Sequence, residues 1–230
     1  MIDLYAWPTP NAFKVSIMLE ETGTPYRVFA VDITKGDQFK ADFLKMNPNN
    51  KMPVIVDSDG PDGQPITIFE SGAILLYLAE KTGRFIPRDV RGRYAVTQWL
   101  MFQMASIGPM LGQVHHFRVY APEPIPYAVE RYTNEARRLY NVLDRRLGEV
   151  SYLAGDYSIA DMAVFPWIRP YKRQGLDIND FPNLKRWFDA IDERPAVQRG
   201  LTLLADRRRE GPIDDKAREV LFGATQYAKR

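Results

Sequence analysis

The sequence predicts an α/β half followed by an all-helical half. Up to about residue 85, short apolar runs bounded by turn residues alternate with helical stripes. From "RGRYAVTQWLMFQ" onward the strand signals vanish, and apolar residues recur only at helical spacing. Between the two, "FIPRDVRG" has the Pro, Gly and charges of a linker. The expected divisions are 1–86, 93–210 and a C-terminal tail over 211–230. A chain of 230 residues can bury a real core in each half.

Taken in order, residues 2–7 read as a short strand and 12–22 as a helix, with Gly23 placed to cap its C-terminus. "YRVFAVDI" (26–33) is apolar on both faces, which predicts a strand buried on both sides. "GDQFKADFLKMNPNN" is polar and loop-like, with one short helical turn. "MPVIVD" and "ITIF" are brief strands separated by "SDGPDGQP", a turn rich in Gly and Pro. "ESGAILLYLAEKTG" then reads as a helix stopped by Gly83. In the second half Val96, Leu100, Ile107, Leu111 and Val114 form one stripe, in which Gly108-Pro109 predicts a kink. Tyr132, Ala136, Leu139, Tyr140, Leu143 and Leu147 form another. "YSIADMAVFPWIRPY" and "PNLKRWFDAIDERPAVQRGL" add at least two more helices. Ser158 and Asp161 have the spacing of a capping box, with Tyr157 and Met162 as its staple.

Composition removes several function classes. Hydrophobic residues make up 45% and charged residues 26%, as in an ordinary globular protein. The net charge is +2, from 31 basic and 29 acidic residues spread along the chain, so nothing argues for nucleic acid or an anionic membrane as partner. The one basic run, Arg207 to Arg209, reads as a solvated helix face. No apolar stretch approaches the roughly 18 residues of a membrane span. Asp3 and Pro8 interrupt any leader-like pattern early, so the expected compartment is the cytoplasm. There are no cysteines, which excludes disulfide scaffolding, thiolate metal sites and a protein-borne thiol nucleophile. His115 and His116 diverge on a helix and make a poor metal pair, so no metal is expected and they are read as structural or as lining a cleft mouth.

Three stretches carry chemistry. "WPTPN" is a tight strand-to-helix turn, where α/β proteins commonly place ligands. Met52-Pro53 precedes a strand and reads either as a rigid strand start or as a cis bond that turns the Met52 backbone outward toward an extended peptide. Glu70 and Ser71 open a helix: Ser71 as a simple cap, or the pair as a seat for an amino-acid head group, ammonium on Glu70 and carboxylate on the helix N-terminus.

Together, "PTPN", "GDQF", "PNNKMPVIVD", "FESGAILLYLAEKTG", "GPMLGQVHHF", "IPYAVERY" and "YSIADMA" resemble the bacterial Nu class of cytosolic glutathione transferases over nearly the whole chain. The resemblance implies a thioredoxin-like N-terminal domain joined to a helical-bundle domain, with glutathione as cosubstrate. It puts Thr9 and Asn11 beside the cysteinyl sulfur, where the Thr9 hydroxyl and Asn11 or its backbone N–H donate to a thiolate and lower its pKa. Tyr5 ranks below Thr9, since strand alternation points it elsewhere. Gln38 and Lys51 fall near the glycyl carboxylate, and Met52, with Pro53 cis, pairs with the cysteinyl backbone. Glu70 and Ser71 hold the γ-glutamyl ammonium and carboxylate. Arg131 matches an arginine that reaches the glutathione region, and otherwise reads as an exposed helix cation.

The implied activity is glutathione-dependent disulfide-bond oxidoreduction on small disulfides, with transferase activity toward electrophiles, in a two-fold homodimer. The alternatives are a non-catalytic glutathione-binding regulatory module, and a conjugating transferase with little reductase activity. The tail "GPIDDKAREVLFGATQYAKR" has a modest stripe (Ala217, Val220, Leu221) and three open placements: over the active-site mouth, across a partner, or frayed.

Overall fold

The structure is a computed structural model that describes residues 1–208, 211 and 213–228. Arg209, the end of the basic run, and Pro212, the expected break before the tail, lie outside them. Four strands, β1 (Ile2–Ala6), β2 (Tyr26–Ala30), β3 (Val54–Asp57) and β4 (Ile66–Phe69), form one sheet in the order β2-β1-β3-β4. β2 runs parallel to β1, β3 antiparallel to β1, and β4 antiparallel to β3. Strand alternation sends Ile2, Leu4 and Ala6 into the main core, while Tyr5 turns to the other face and stacks on Phe29 with ring centroids 4.9 Å apart. That second face holds a smaller cluster of Val31, Phe43 and Val54, with Tyr5, Met46 and Met52 packed against it.

The expectation for residues 26–33 needs correction. β2 ends at Ala30 and is an edge strand, with Val28 and Phe29 each 38% exposed. Its apolar composition suits the pleat, but only β1 covers one of its sides.

α1 (Pro10–Thr22) follows β1, with Pro10 at its first position and Gly23 closing it at φ 68°. α2 (Ala41–Met46) is the short turn foreseen in the polar loop, and α3 (Ser71–Thr82) returns across the sheet to Gly83. The helical half begins with α4 (Val90–Phe102), then a π turn over Gln103–Ile107, α5 (Gly108–His115), a second π turn over His116–Tyr120, and α6 (Pro126–Glu149). The predicted kink thus takes the form of a π turn directly before Gly108-Pro109. Pro109 has no N–H to return to the preceding turn. α7 (Ile159–Ile168), α8 (Pro182–Asp192) and α9 (Pro195–Leu201) complete the bundle.

The capping box forms as expected. Ser158 N–H donates to Asp161 Oδ2 at 3.0 Å, and Ala160 N–H donates to Ser158 Oγ at 3.3 Å. Asp161 also accepts from Leu153 N–H (3.0 Å) and Trp187 Nε1 (2.8 Å), so the box ties α7 to α8. Tyr157, expected to staple the box, sets its ring edge-on to Phe85, and Arg194 lies 4.0 Å over it.

α1 joins the two halves, packing on α3, α7 and α9. Its approach to α9 is so close that a Cβ on Gly200 would meet the Ile17 Cα at 2.7 Å. Arg207 and Arg208 correct the helix-face reading: Arg207 closes a short 3₁₀ turn, and Arg208 bonds the Leu201 carbonyl at 2.7 Å and lies over the Phe13 ring. Beyond it, α10 (Asp215–Phe222) is capped by Asp214, and α11 (Ala224–Tyr227) follows. Among the described residues, no helix is long and apolar enough to cross a membrane.

Candidate functional site

A cleft of about 680 Å³ opens where the two halves meet, within the ~300–1,000 Å³ range of small-molecule sites. Asn11 and Lys14 of α1, Glu70 and Ser71 at the start of α3, and Gln103 of the first π turn form its polar end. Pro109, Phe117, Trp167, Phe222 and Tyr227 give it aromatic and apolar walls. A smaller cavity of about 120 Å³ is lined by Asn11, Lys51, Met52, Pro53, Glu70 and Ser71 together with Asn47 and Asn49.

The polar end is built from two helix starts that their own side chains leave uncapped. Thr9 occupies the N-cap position of α1, yet its hydroxyl caps nothing: Thr9 Oγ1 is buried without a partner. Asn11 Oδ1 accepts from Trp167 Nε1 at 2.9 Å. Because the indole is a pure donor, this fixes the amide orientation and leaves the Asn11 Nδ2 group free to donate. At α3 the cap position is taken by Glu70 rather than Ser71, which corrects the reading of Ser71 as the cap. Glu70 sits at φ 67° and makes no side-chain capping bond. A positive φ at a non-glycine residue is sparsely populated and clusters at ligand-binding sites. The first-turn N–H groups of α3 are thereby left for an anion. The Met52-Pro53 bond is cis.

Behind Ser71 stands a residue the sequence reading passed over. Lys14 is 1% exposed, and its Nζ donates to Ser71 Oγ at 3.2 Å and to Gln103 Oε1 at 2.6 Å. Burial draws its ammonium down from the ordinary lysine range to about 7, and the Glu70 carboxylate opposes that shift. Gln103 is itself fully buried, and its Nε2 has no partner. The signal was a lone cation inside "AFKVSIML", a run whose other members are apolar or small. Trp167, which orients Asn11, was missed as well.

Of the residues proposed from sequence, Asn11, Lys51, Met52, Pro53, Glu70 and Ser71 meet around these adjoining cavities. Thr9 lies at the turn directly before Asn11. Gln38 is 3% exposed and turned inward, donating to the Ile33 carbonyl at 3.3 Å, and it lines neither cavity. Arg131 lies on α6 in a separate groove with Met110, Tyr127, Glu135 and Arg138. α5 stands between: its Pro109, Gly112 and Gln113 face the cleft, while Met110 faces the groove.

His116 lines the cleft, edge-on to Phe117 and Phe222. His115 stacks on Trp167 with its Nε2 unpartnered, and burial, aided by Arg173, pulls its imidazole down to about 4. Among the described residues no group of three His, Cys, Asp or Glu side chains gathers as metal ligands would.

The tail takes the first of its open placements. Arg218 bonds the Tyr120 carbonyl, Phe222 and Tyr227 wall the cleft, and Gln226 meets both Asn50 (3.2 Å) and Lys51 (3.4 Å).

A thioredoxin-like sheet with a cis-proline before its third strand, a helical domain beside it, and an uncapped helix start at the seam define a protein of the glutathione-transferase type. The model for the "Glutathione S-transferase, N-terminal domain" matches residues 1–80, and that for the "Glutathione S-transferase, C-terminal domain" matches residues 109–195. The chain belongs to the glutathione S-transferase family. It is 51% identical over 203 residues to the disulfide-bond oxidoreductase YfcG of Escherichia coli, covering 87% of this chain and 94% of that protein. A glutathione transferase from Burkholderia graminis, solved with two glutathione molecules per subunit, is 49% identical with a TM-score of 0.84, over 87% of each chain. One from Pseudomonas putida, solved with one glutathione disulfide per subunit, is 46% identical with a TM-score of 0.85, over 88% of this chain and 91% of that one.

Proposed function

We propose that the protein is a glutathione-dependent disulfide-bond oxidoreductase with glutathione transferase activity toward electrophiles. The observation that carries this reading is a cleft with a seat for an amino-acid head group in a chain without any cysteine. The reacting sulfur must therefore arrive with the ligand. The disulfide-bond oxidoreductase activity for which the Escherichia coli relative is named and the glutathione found in the solved relatives support the choice of ligand.

In this reading Glu70 holds the γ-glutamyl ammonium, and Ser71 with the start of α3 holds the α-carboxylate. Met52, ahead of cis Pro53, pairs its backbone with the cysteinyl unit, and Lys51 takes the glycyl carboxylate, while Gln38, turned inward, supports that end only from outside the cavities. Thr9 and Asn11 donate to the sulfur and favour its thiolate form. The bound thiolate attacks one sulfur of a small disulfide, the S–S bond breaks, and the departing thiolate takes up a proton. A second glutathione thiolate then attacks the resulting mixed disulfide. It leaves as oxidised glutathione and releases the second substrate thiol. Two glutathiones are oxidised for each disulfide reduced. The proposed setting is the cytoplasm, where glutathione is kept reduced, and the proposed assembly is a two-fold homodimer.

The test is turnover of purified protein with reduced glutathione against a dialkyl disulfide and an aryl halide, in parallel. Disulfide reduction with oxidised glutathione as product is the expected outcome. Glutathione binding without turnover of either substrate would point to a regulatory module, and turnover of the halide alone to a conjugating enzyme.

A further inference from the structure

We propose that Lys14 is a positioning residue for the glutamyl end of glutathione: its ammonium, held behind Ser71, supplies the positive charge that makes the Glu70–Ser71 corner a seat for an α-carboxylate. The proposal rests on the glutathione reading above and adds a residue from a different helix.

Lys14 lies one turn beyond Asn11 on the same face of α1, so both reach one cleft. Among the described residues its hydrogen-bond partners are neutral, Ser71 Oγ at 3.2 Å and Gln103 Oε1 at 2.6 Å. It forms no ion pair with any carboxylate among the described residues, although it is 1% exposed. A buried ammonium without a counter-ion is costly, and a purely structural one is normally paired. Glu70 faces Lys14 without forming an ion pair with it, so the cleft is where a closer anion would sit. Beside Lys14, Gln103 Nε2 is a second buried donor without a partner, and the adjoining start of α3 has no side-chain cap. These donors lie at one end of the cleft, where Glu70 is the one carboxylate among the described lining residues.

The surroundings leave Lys14 free to respond to such an anion. From α3 it faces Glu70, and the π turn offers only the neutral Gln103. α7 contributes Trp167 to the cleft and keeps Asp161 inside its capping box. The arginines beside α9, Arg194 and Arg199, pair with Glu21 and Glu20 at the far end of α1. Lys51, His116 and Tyr227 are the other titratable groups lining the two cavities among the described residues. Burial holds the ligand-free ammonium at about 7, and an arriving carboxylate would raise it, so binding above that pH should take up a proton.

The experiment compares wild type, Lys14→Met and Lys14→Arg with two ligands: glutathione and 4-aminobutyryl-cysteinylglycine, which keeps the amine and lacks the α-carboxylate. Lys14→Met should weaken glutathione roughly tenfold or more, the scale of a lost charge-assisted bond. KM should rise far more than kcat falls at saturation, and Lys14→Arg should restore most of the affinity. With the analogue, wild type and Lys14→Met should bind alike. Calorimetry in buffers of different ionisation enthalpy should show more proton uptake with glutathione than with the analogue in wild type, the thiol's own ionisation being common to both, a comparison that stands even if Lys14→Met fails to fold. A folded Lys14→Met that binds glutathione as wild type does, or that loses the same affinity for both ligands, overturns the proposal. Failure of wild type to bind glutathione at all would instead overturn the functional reading beneath it.

Discussion

The Thr9 hydroxyl is the site's clearest unspent donor: it is buried, without a partner, and does not cap the helix it precedes. An unsatisfied buried hydroxyl costs about 1–3 kcal/mol, so a sulfur ligand that accepts from it recovers that cost on binding. Thr9→Ala is therefore expected to raise the thiol pKa of bound glutathione and shift the pH–activity profile upward, with activity returning at high pH. Thr9→Ser should be mild. Asn11→Ala should impair the same step, because Trp167 holds its Oδ1 and leaves Nδ2 to donate. Titrating the ultraviolet thiolate band of bound glutathione in each variant checks this, and identical curves would assign sulfur activation to another group. Thr9, Asn11, Glu70 and Ser71 were legible in the sequence because they stand at turns, where chemistry is written locally. Lys14, Gln103 and Trp167 were not. Each means something only through partners far along the chain: 57 residues from Lys14 to Ser71, 89 from Lys14 to Gln103, and 156 from Trp167 to Asn11.

Among the elements, those with strong local signals formed where the sequence put them. α1 ends at Gly23, α3 ends at Gly83, and α7 begins at the Ser158–Asp161 box. β2 shows the limit of such reading, since residue composition cannot tell an edge strand from a central one. The π turn at Gln103–Ile107 is similar: Gly108-Pro109 marked a disturbance, but only the surrounding helices select its form. The box itself is expected to act on folding alone. Ser158→Ala should cost about 0.5–2 kcal/mol of stability, as lost N-caps do. Asp161 keeps its bonds to Leu153 and Trp187 in that variant, so the α7–α8 joint should survive. Thermal denaturation should show the loss while turnover per folded molecule stays near that of wild type. Lost turnover at unchanged melting temperature would identify the pair as part of the site.

At the scale of the whole molecule, the proposed homodimer bears on several large apolar side chains exposed on the helical half. Val90 is 72% exposed, Tyr94 68% and Met101 44%, all on α4, and Tyr127 at the start of α6 is 75% exposed. Scattered apolar side chains are ordinary on a surface, but several large ones on one helix mark a contact face. The groove holding Arg131 has a related character, with Met110 and Tyr127 beside charged Glu130, Glu135 and Arg138. In a single chain α5 separates that groove from the cleft, and Arg131 does not line the cleft. The proposed two-fold dimer would account for both features if it covered the α4 face and brought elements of a second subunit to the seam between the halves. Light scattering should then give twice the 26.5 kDa chain mass. The double variant Val90→Glu, Tyr94→Glu should shift the protein to monomer, since two carboxylates buried at an interface centre lack partners. Arg131→Ala should weaken glutathione binding in the dimer and have no effect on whatever binding the monomeric variant retains. A wild-type monomer that turns over substrate at full rate would remove the dimer from the mechanism and leave Arg131 as an exposed cation on α6.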